Sequence, residues 1–195
     1  MAGKLESKAV AFLAAAEGTE QNELISPWKT VLAEGGRPVL VSPADGEIQL
    51  FDHLDRGKWM PVDMSVSEAR EADLTGLVLP GGVANPDQLR TDPDAVAFVR
   101  GFFTAGKPVA AICHAPWTLI EADVVLGRTL TSWPSLRTDL TNAGAIWVDE
   151  QVVACAEEPS VLVTSRNPQD LPAFCATLTE VFADSGFRRQ HVTGA

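Results

Sequence analysis

Residues Lys107 to Trp117 read KPVAAICHAPW: an apolar run, a cysteine, a histidine, and a proline three positions after the cysteine. Pro108 to Ile112 has the length and unbroken apolarity of a strand buried on both faces. Pro116 suits the first turn of a helix, where proline is tolerated, and would break a helix deeper in. A buried strand running into a helix is the unit of an α/β fold with a parallel sheet. Ala111 and Ala115, two positions either side of Cys113, are small enough for the tight turn of a nucleophile elbow. Two readings of Cys113 follow. It is a nucleophile at a helix N-terminus, where backbone N–H groups depress its pKa, or it is a small hydrophobe packed at a strand end.

The flanking sequence repeats the pattern. Ala9 to Ala14, Pro38 to Val41 and Gly76 to Leu79 are further short apolar runs bounded by turn residues, and each reads as a buried strand. Helices are expected from about Glu20 to Glu34, stopped by Gly35-Gly36, and from Asp92-Pro93 to Gly106. A third starts directly after Cys113, and a last one runs from about Asn167 to Asp184 with Phe174, Leu178, Val181 and Phe182 on one face. Glu47 to Phe51 and Lys58 to Val62, separated by residues 52–57, suggest a hairpin appended to the sheet. Gly144 to Val148 and Gln151 to Cys155 read as two more strands joined by Asp149-Glu150. No internal repeat or linker interrupts the chain, so residues 1–195 are expected to form one doubly wound domain.

Apolar residues make up 46% of the chain and charged residues 21%, with a net charge of −11. That acidity argues against a nucleic-acid-binding surface, which needs a basic footprint. Three scattered cysteines, Cys113, Cys155 and Cys175, make neither a disulfide framework nor a C-x-x-C, and with three separated histidines no metal site is expected. Lys4, Lys8 and the run Ala9 to Ala16 mimic a secretory leader. Glu6 among the charges and the shortness of the run favour a buried first strand instead. No run approaches the ~20 apolar residues of a membrane span. A soluble, cytoplasmic protein that does not bind membranes is the expectation.

Ligands of parallel sheets bind beyond the carboxyl ends of the strands. Pro80-Gly81-Gly82 and Cys113 both fall there. Gly81 and Gly82 form either a plain turn or a place where backbone N–H groups approach a developing oxyanion. They are not part of a G-x-G-x-x-G fingerprint, so no dinucleotide is implied. His114 is a base for Cys113 if a carboxylate elsewhere orients it, and otherwise a cap or surface residue. Glu20, Glu23 and Pro27 recur at helical spacing. Either glutamate is a favourable charge at a helix start, or one points into the cleft, desolvated enough to stay protonated beside the thiolate.

The segments FLAAAEGTEQNELISPW, GLVLPGG, GKPVAAICHAPWTLI, GRTLTSWPSLRTDLTNAGAIWVDEQVV and LVTSRNPQDLPAF together resemble the PfpI family of intracellular cysteine peptidases and its deglycase and glyoxalase relatives. The resemblance spans nearly the whole chain. It implies a flavodoxin-like, class I glutamine amidotransferase-like three-layer sandwich with a mainly parallel sheet, assembled as a homodimer or higher oligomer. By the same resemblance Cys113 is the nucleophile, His114 its adjacent histidine, and Glu23 the glutamate hydrogen-bonded to the cysteine. Glu20 matches a second acidic position, and Gly82 with the amide after Cys113 matches the oxyanion hole. In peptidase-like members a glutamate shortly after the glycine pair orients the histidine from a neighbouring subunit; here the nearest acidic residue is Asp87, shorter and further along.

Three functions compete on this reading. The first is a cofactor-free, stress-protective hydrolase or lyase using the Cys113 thiolate on reactive carbonyls such as methylglyoxal or its protein and nucleotide adducts. The second is a peptidase built from Cys113, His114 and Asp87. The third is a non-enzymatic stress chaperone or redox sensor.

Overall fold

In the computed structural model, which describes residues 3–183, the chain intersperses strands and helices along its length. It runs β1 (Ala9–Leu13), β2 (Glu17–Glu20), α1 (Gln21–Ala33), β3 (Arg37–Ser42), β4 (Glu47–Asp52), β5 (Asp55–Pro61), β6 (Met64–Ser65) and β7 (Gly76–Leu79). Next come α2 (Ala84–Leu89), α3 (Pro93–Thr104), β8 (Val109–Ile112), α4 (Pro116–Glu121), β9 (Thr129–Leu130) and α5 (Arg137–Asn142). The described chain closes with β10 (Ile146–Trp147), β11 (Val152–Cys155), β12 (Leu162–Ser165) and α6 (Leu171–Ala183).

Seven strands form the main sheet in the order β11-β12-β8-β7-β1-β3-β6, parallel except for β11 against β12. The expected apolar runs supply its centre: β1, β3, β7 and β8. The leader-like run is therefore the interior strand β1, between β7 and β3. Its alternation splits the core, with Ala11 and Leu13 packing towards Phe98, Val99 and Phe102 of α3. Val10 and Phe12 face the other layer, with Leu24 and Val31 of α1 and Phe174, Leu178 and Phe182 of α6. The result is the expected α/β sandwich with helices on both faces of a mostly parallel sheet. No helix among the described residues is long and apolar enough to cross a membrane.

Several local expectations are corrected. The β4–β5 hairpin is not appended to the main sheet; with β2 it forms a separate three-stranded sheet. Its turn is only His53-Leu54, because Asp55 to Gly57, polar enough to read as loop, pair with β4. Glu20 is not in the helix: Thr19 and Glu20 pair with Leu50 and Phe51, so Glu20 ends β2 and caps α1 in extended geometry. Residues around Asp149 do not join two strands of one sheet, since β10 pairs with β9 and β11 with β12. The last helix begins at Leu171 after a 3-10 turn, and its expected end at Asp184 lies outside the described residues.

Candidate active site

The sheet order reverses between β1 and β7: β1 leads outward to β3, and β7 to β8 and β12. Crevices at such switch points are where α/β sheets bind ligands. Here β1 leads into β2 and Glu20, β7 ends at Pro80-Gly81-Gly82, and β8 ends at Cys113. A cavity of about 270 Å³ at this rim is lined by Glu20, Glu23, His53, Gly82, Cys113 and His114, among others.

Cys113 sits on the elbow that the small flanking residues suggested. Its φ is 64°, a left-handed conformation that costs a non-glycine residue roughly 1–3 kcal/mol unless its surroundings impose it. They do so from both sides: its N–H donates to Ser165 O at 3.0 Å, and its C=O accepts from Trp133 N–H at 2.9 Å. The helix that follows starts at Pro116 rather than directly after the cysteine.

Glu23, in the first turn of α1, is fully buried. Its Oε2 accepts the Gly81 N–H at 2.9 Å, its Oε1 is buried with no hydrogen-bond partner among the described residues, and the carboxyl interacts with the Cys113 thiol beside it. Burial pushes its carboxyl up to about 8; the Cys113 thiol and the Gly81 hydrogen bond oppose this and the Glu20 charge adds to it. At neutral pH Glu23 therefore holds a proton. The Cys113 thiol is also pushed up, by burial first and the Glu23 charge second, against the pull of the Gly82 and His114 amides. This corrects the expectation of a thiol depressed by a helix N-terminus: α4 is one and a half turns long, and burial outweighs it. When the proton sits on Glu23 its charge no longer opposes the thiolate, and the two amides still donate to sulfur.

His114 Nδ1 lies 3.1 Å from Cys113 Sγ. The ring is stacked on Trp133 and tilted against Trp117, and burial lowers its pKa to about 4. It is a neutral, weakly basic contact. Its Nε2 faces Ser135 Oγ at 3.5 Å, not a carboxylate. Asp87 is exposed on α2 and does not line the Cys113 cavity. One chain therefore does not bring Cys113, His114 and Asp87 together.

The two glycines divide their work. The Gly81 amide is taken by Glu23, not turned to the cavity as an oxyanion donor. A Cβ on Gly81 would also meet Cys113 Cβ at 2.6 Å, so only glycine lets β7 pass this close to the elbow. The Gly82 amide faces the Cys113 sulfur. Three further residues join the site from places no local motif marked. His53 and Trp133 line the cavity, and Asn85, fully buried, ties three loop groups together: it accepts from Ala15 N–H at 2.8 Å and donates to Pro80 O and Gly81 O at 2.8 and 3.2 Å. Among the described residues no group of three or more His, Cys, Asp or Glu side chains is arranged to hold a metal ion.

The DJ-1/PfpI family profile matches residues 8–181. Protein/nucleic acid deglycase 2 of Escherichia coli is 49% identical over 113 residues, which cover 58% of this chain and 63% of that protein. General stress protein 18 of Bacillus subtilis is 48% identical over 113 residues, with the same coverage. The chain thus spans less than two-thirds of the length of these relatives. It is 39% identical to deglycase PH1704 of Pyrococcus horikoshii over 165 residues, 85% of this chain and 93% of the other. Among solved structures, a two-domain Anabaena variabilis protein with DJ-1/ThiJ/PfpI-like and ferritin-like domains superposes with a TM-score of 0.83 at 29% identity, over 95% of this chain and 52% of that one.

Proposed function

The chain belongs to the DJ-1/PfpI family, and from that premise we propose that it is a cysteine-dependent hydrolase of reactive carbonyls, acting on methylglyoxal and its adducts through its own side chains. The observation that carries the reading is the Glu23–Cys113 pair, a carboxyl held protonated by burial and set beside the nucleophile in the same cavity wall. Peptide cleavage needs a base that takes the thiol proton and carries it to the leaving amine, and His114, its pKa lowered to about 4 by burial, is a weak base for that. Carbonyl chemistry needs a soft nucleophile and a carboxyl able to give and take one proton.

The steps follow from these groups. The Cys113 thiolate, formed as the thiol proton is lost to solvent, adds to the aldehyde carbon, and the new alkoxide takes a proton from Glu23 in a site where the Gly82 and His114 amides stabilise negative charge. Glu23, now ionised, removes the hydrogen from that carbon and returns it to the neighbouring one. The hydroxyl proton of the thiohemiacetal passes to the neighbouring carbonyl oxygen, so the ketone becomes an alcohol and the thiohemiacetal a thioester. Water then hydrolyses the thioester, releasing lactate and the thiol. Where the carbonyl is carried on an amine, the thiolate displaces the amine, which leaves with a proton, and the same thiohemiacetal results.

The test is lactate formation from methylglyoxal. The wild type should form it well above the no-enzyme rate and Cys113→Ala should not; equal rates in the two would overturn the proposal. The family's peptidase members and the 3.1 Å Cys113–His114 contact support a second reading, peptide hydrolysis with a second copy of the chain supplying the carboxylate.

A further inference from the structure

Glu20 lies in the wall of the Cys113 cavity with only one of its oxygens engaged. Oε2 accepts the His53 N–H at 3.0 Å and lies 3.7 Å from His53 Nδ1. Oε1 is buried with no hydrogen-bond partner among the described residues. The side chain is 7% exposed, so solvent does little to meet that oxygen. A buried acceptor left unmet is costly in the resting protein, and such groups persist where a ligand completes them. None of the steps assigned to Cys113, Glu23 and the two amides uses Glu20.

His53 sits opposite, at the two-residue tip of the β4–β5 hairpin, with φ 55° and its imidazole 79% exposed. Leu54 beside it is 94% exposed and lines the same cavity. The tip therefore forms an outer wall, fastened to the inner one through Glu20 Oε2. A substrate reaching Cys113 with its carbonyl carbon presents its other substituent to this side of the cavity.

The geometry points to Glu20 and His53 as a subsite for the nitrogen of the substrate: the N–H of an amine or guanidine borne on the carbonyl-derived carbon donates to Glu20 Oε1, with His53 closing over it. The inference rests on the carbonyl reading above and narrows it to N-linked adducts. Free methylglyoxal and its thiol adducts have no N–H to offer, so they leave the oxygen unmet. The displaced amine, once protonated, is a cation beside a carboxylate, and the net charge of −11 draws cations rather than anions towards the protein.

The test uses Glu20→Gln, which keeps a carbonyl oxygen for the His53 amide and turns an NH2 towards the incoming N–H. Lactate formation is compared for methylglyoxal and for its hemiaminal with Nα-acetyl-lysine, with free methylglyoxal matched between assays. The expected result is a fall in kcat/KM about ten- to a hundredfold larger for the hemiaminal than for methylglyoxal, the scale of a lost hydrogen bond to a charged group. In parallel, Nα-acetyl-lysine should slow iodoacetamide labelling of Cys113 in the wild type and not in Glu20→Gln. Equal losses on the two substrates overturn the subsite, as does amine protection that is absent from the wild type or undiminished in the variant. If the wild type forms no lactate at all, the carbonyl reading fails, and the labelling comparison alone decides the subsite.

Discussion

A buried carboxyl that stays protonated at neutral pH leaves a thermodynamic signature, and Glu23 is placed to show it. Its pKa is about 8 in the folded protein against an ordinary value of 4.5. Between those values the folded chain binds more protons at this position than the unfolded chain. Stability therefore falls as pH rises through the window, by up to a few kcal/mol on an order-of-magnitude basis. His114 acts oppositely, its pKa lowered from 6.5 to about 4, so it removes stability as pH falls through that range. Above about 6.5 His114 is neutral in both states, which leaves the interval from there to about 8 to Glu23. In Glu23→Gln the titration is gone while the Gly81 N–H keeps an acceptor. Urea unfolding at a series of pH values should show the wild type losing stability relative to the variant across that interval; parallel curves would mean that Glu23 is ionised in the folded state.

At the scale of elements, the site depends on strand ends being held in register, and Asn85 ties two of them together, those of β1 and β7. Removing its amide strands a buried N–H on Ala15 and takes a donor from the Pro80 and Gly81 carbonyls, the second of which still accepts the Glu20 N–H. Asn85→Ala should cost roughly 2–4 kcal/mol in denaturant unfolding. Asn85→Asp keeps the acceptor for Ala15 but sets a carboxyl oxygen against the Pro80 and Gly81 carbonyls in a fully buried place, so it should cost at least as much stability and lower kcat/KM for carbonyl turnover. A full-strength Asn85→Asp enzyme would show that the glycine loop needs no such tie. Nothing near Asn85 in sequence announces this role, because its partners come from two different strand ends. The same limit explains what was legible along the chain and what was not. β1, β3, β7 and β8 are continuous apolar runs, so their existence and the elbow after β8 could be read directly. A fifth strand of that parallel core, β12, escaped because Thr164 and Ser165 are polar; both are buried with partners, Thr131 N–H and Gln151 O. Glu20 carried a helical spacing with Glu23, but pairing with β4 outweighed it and made it a strand end. His53 and Trp133 reach the cavity only through the folding of a hairpin and a loop, which no local spacing encodes.

The whole molecule decides between the two chemistries through assembly. Cys113, Glu23, Gly82, Glu20 and His53 all belong to one chain and meet at one strand-order reversal. The proposed carbonyl turnover thus calls on no group from a second copy. Peptide hydrolysis does, because His114 faces only Ser135 at its outer nitrogen and Asp87 is exposed on α2, away from the cavity. A homodimer or higher oligomer of the kind the family resemblance implies could lend that carboxylate, and dilution would take it away. Lactate formation per chain should accordingly stay constant across a dilution series that carries the protein from oligomer to monomer, followed in parallel by sedimentation velocity. Any peptidase activity should collapse at the same concentration as the assembly. Carbonyl turnover that falls in step with dissociation would instead mean that a neighbouring copy shapes the cavity, and that the geometry of one chain, with its hairpin tip exposed, is not yet the working site.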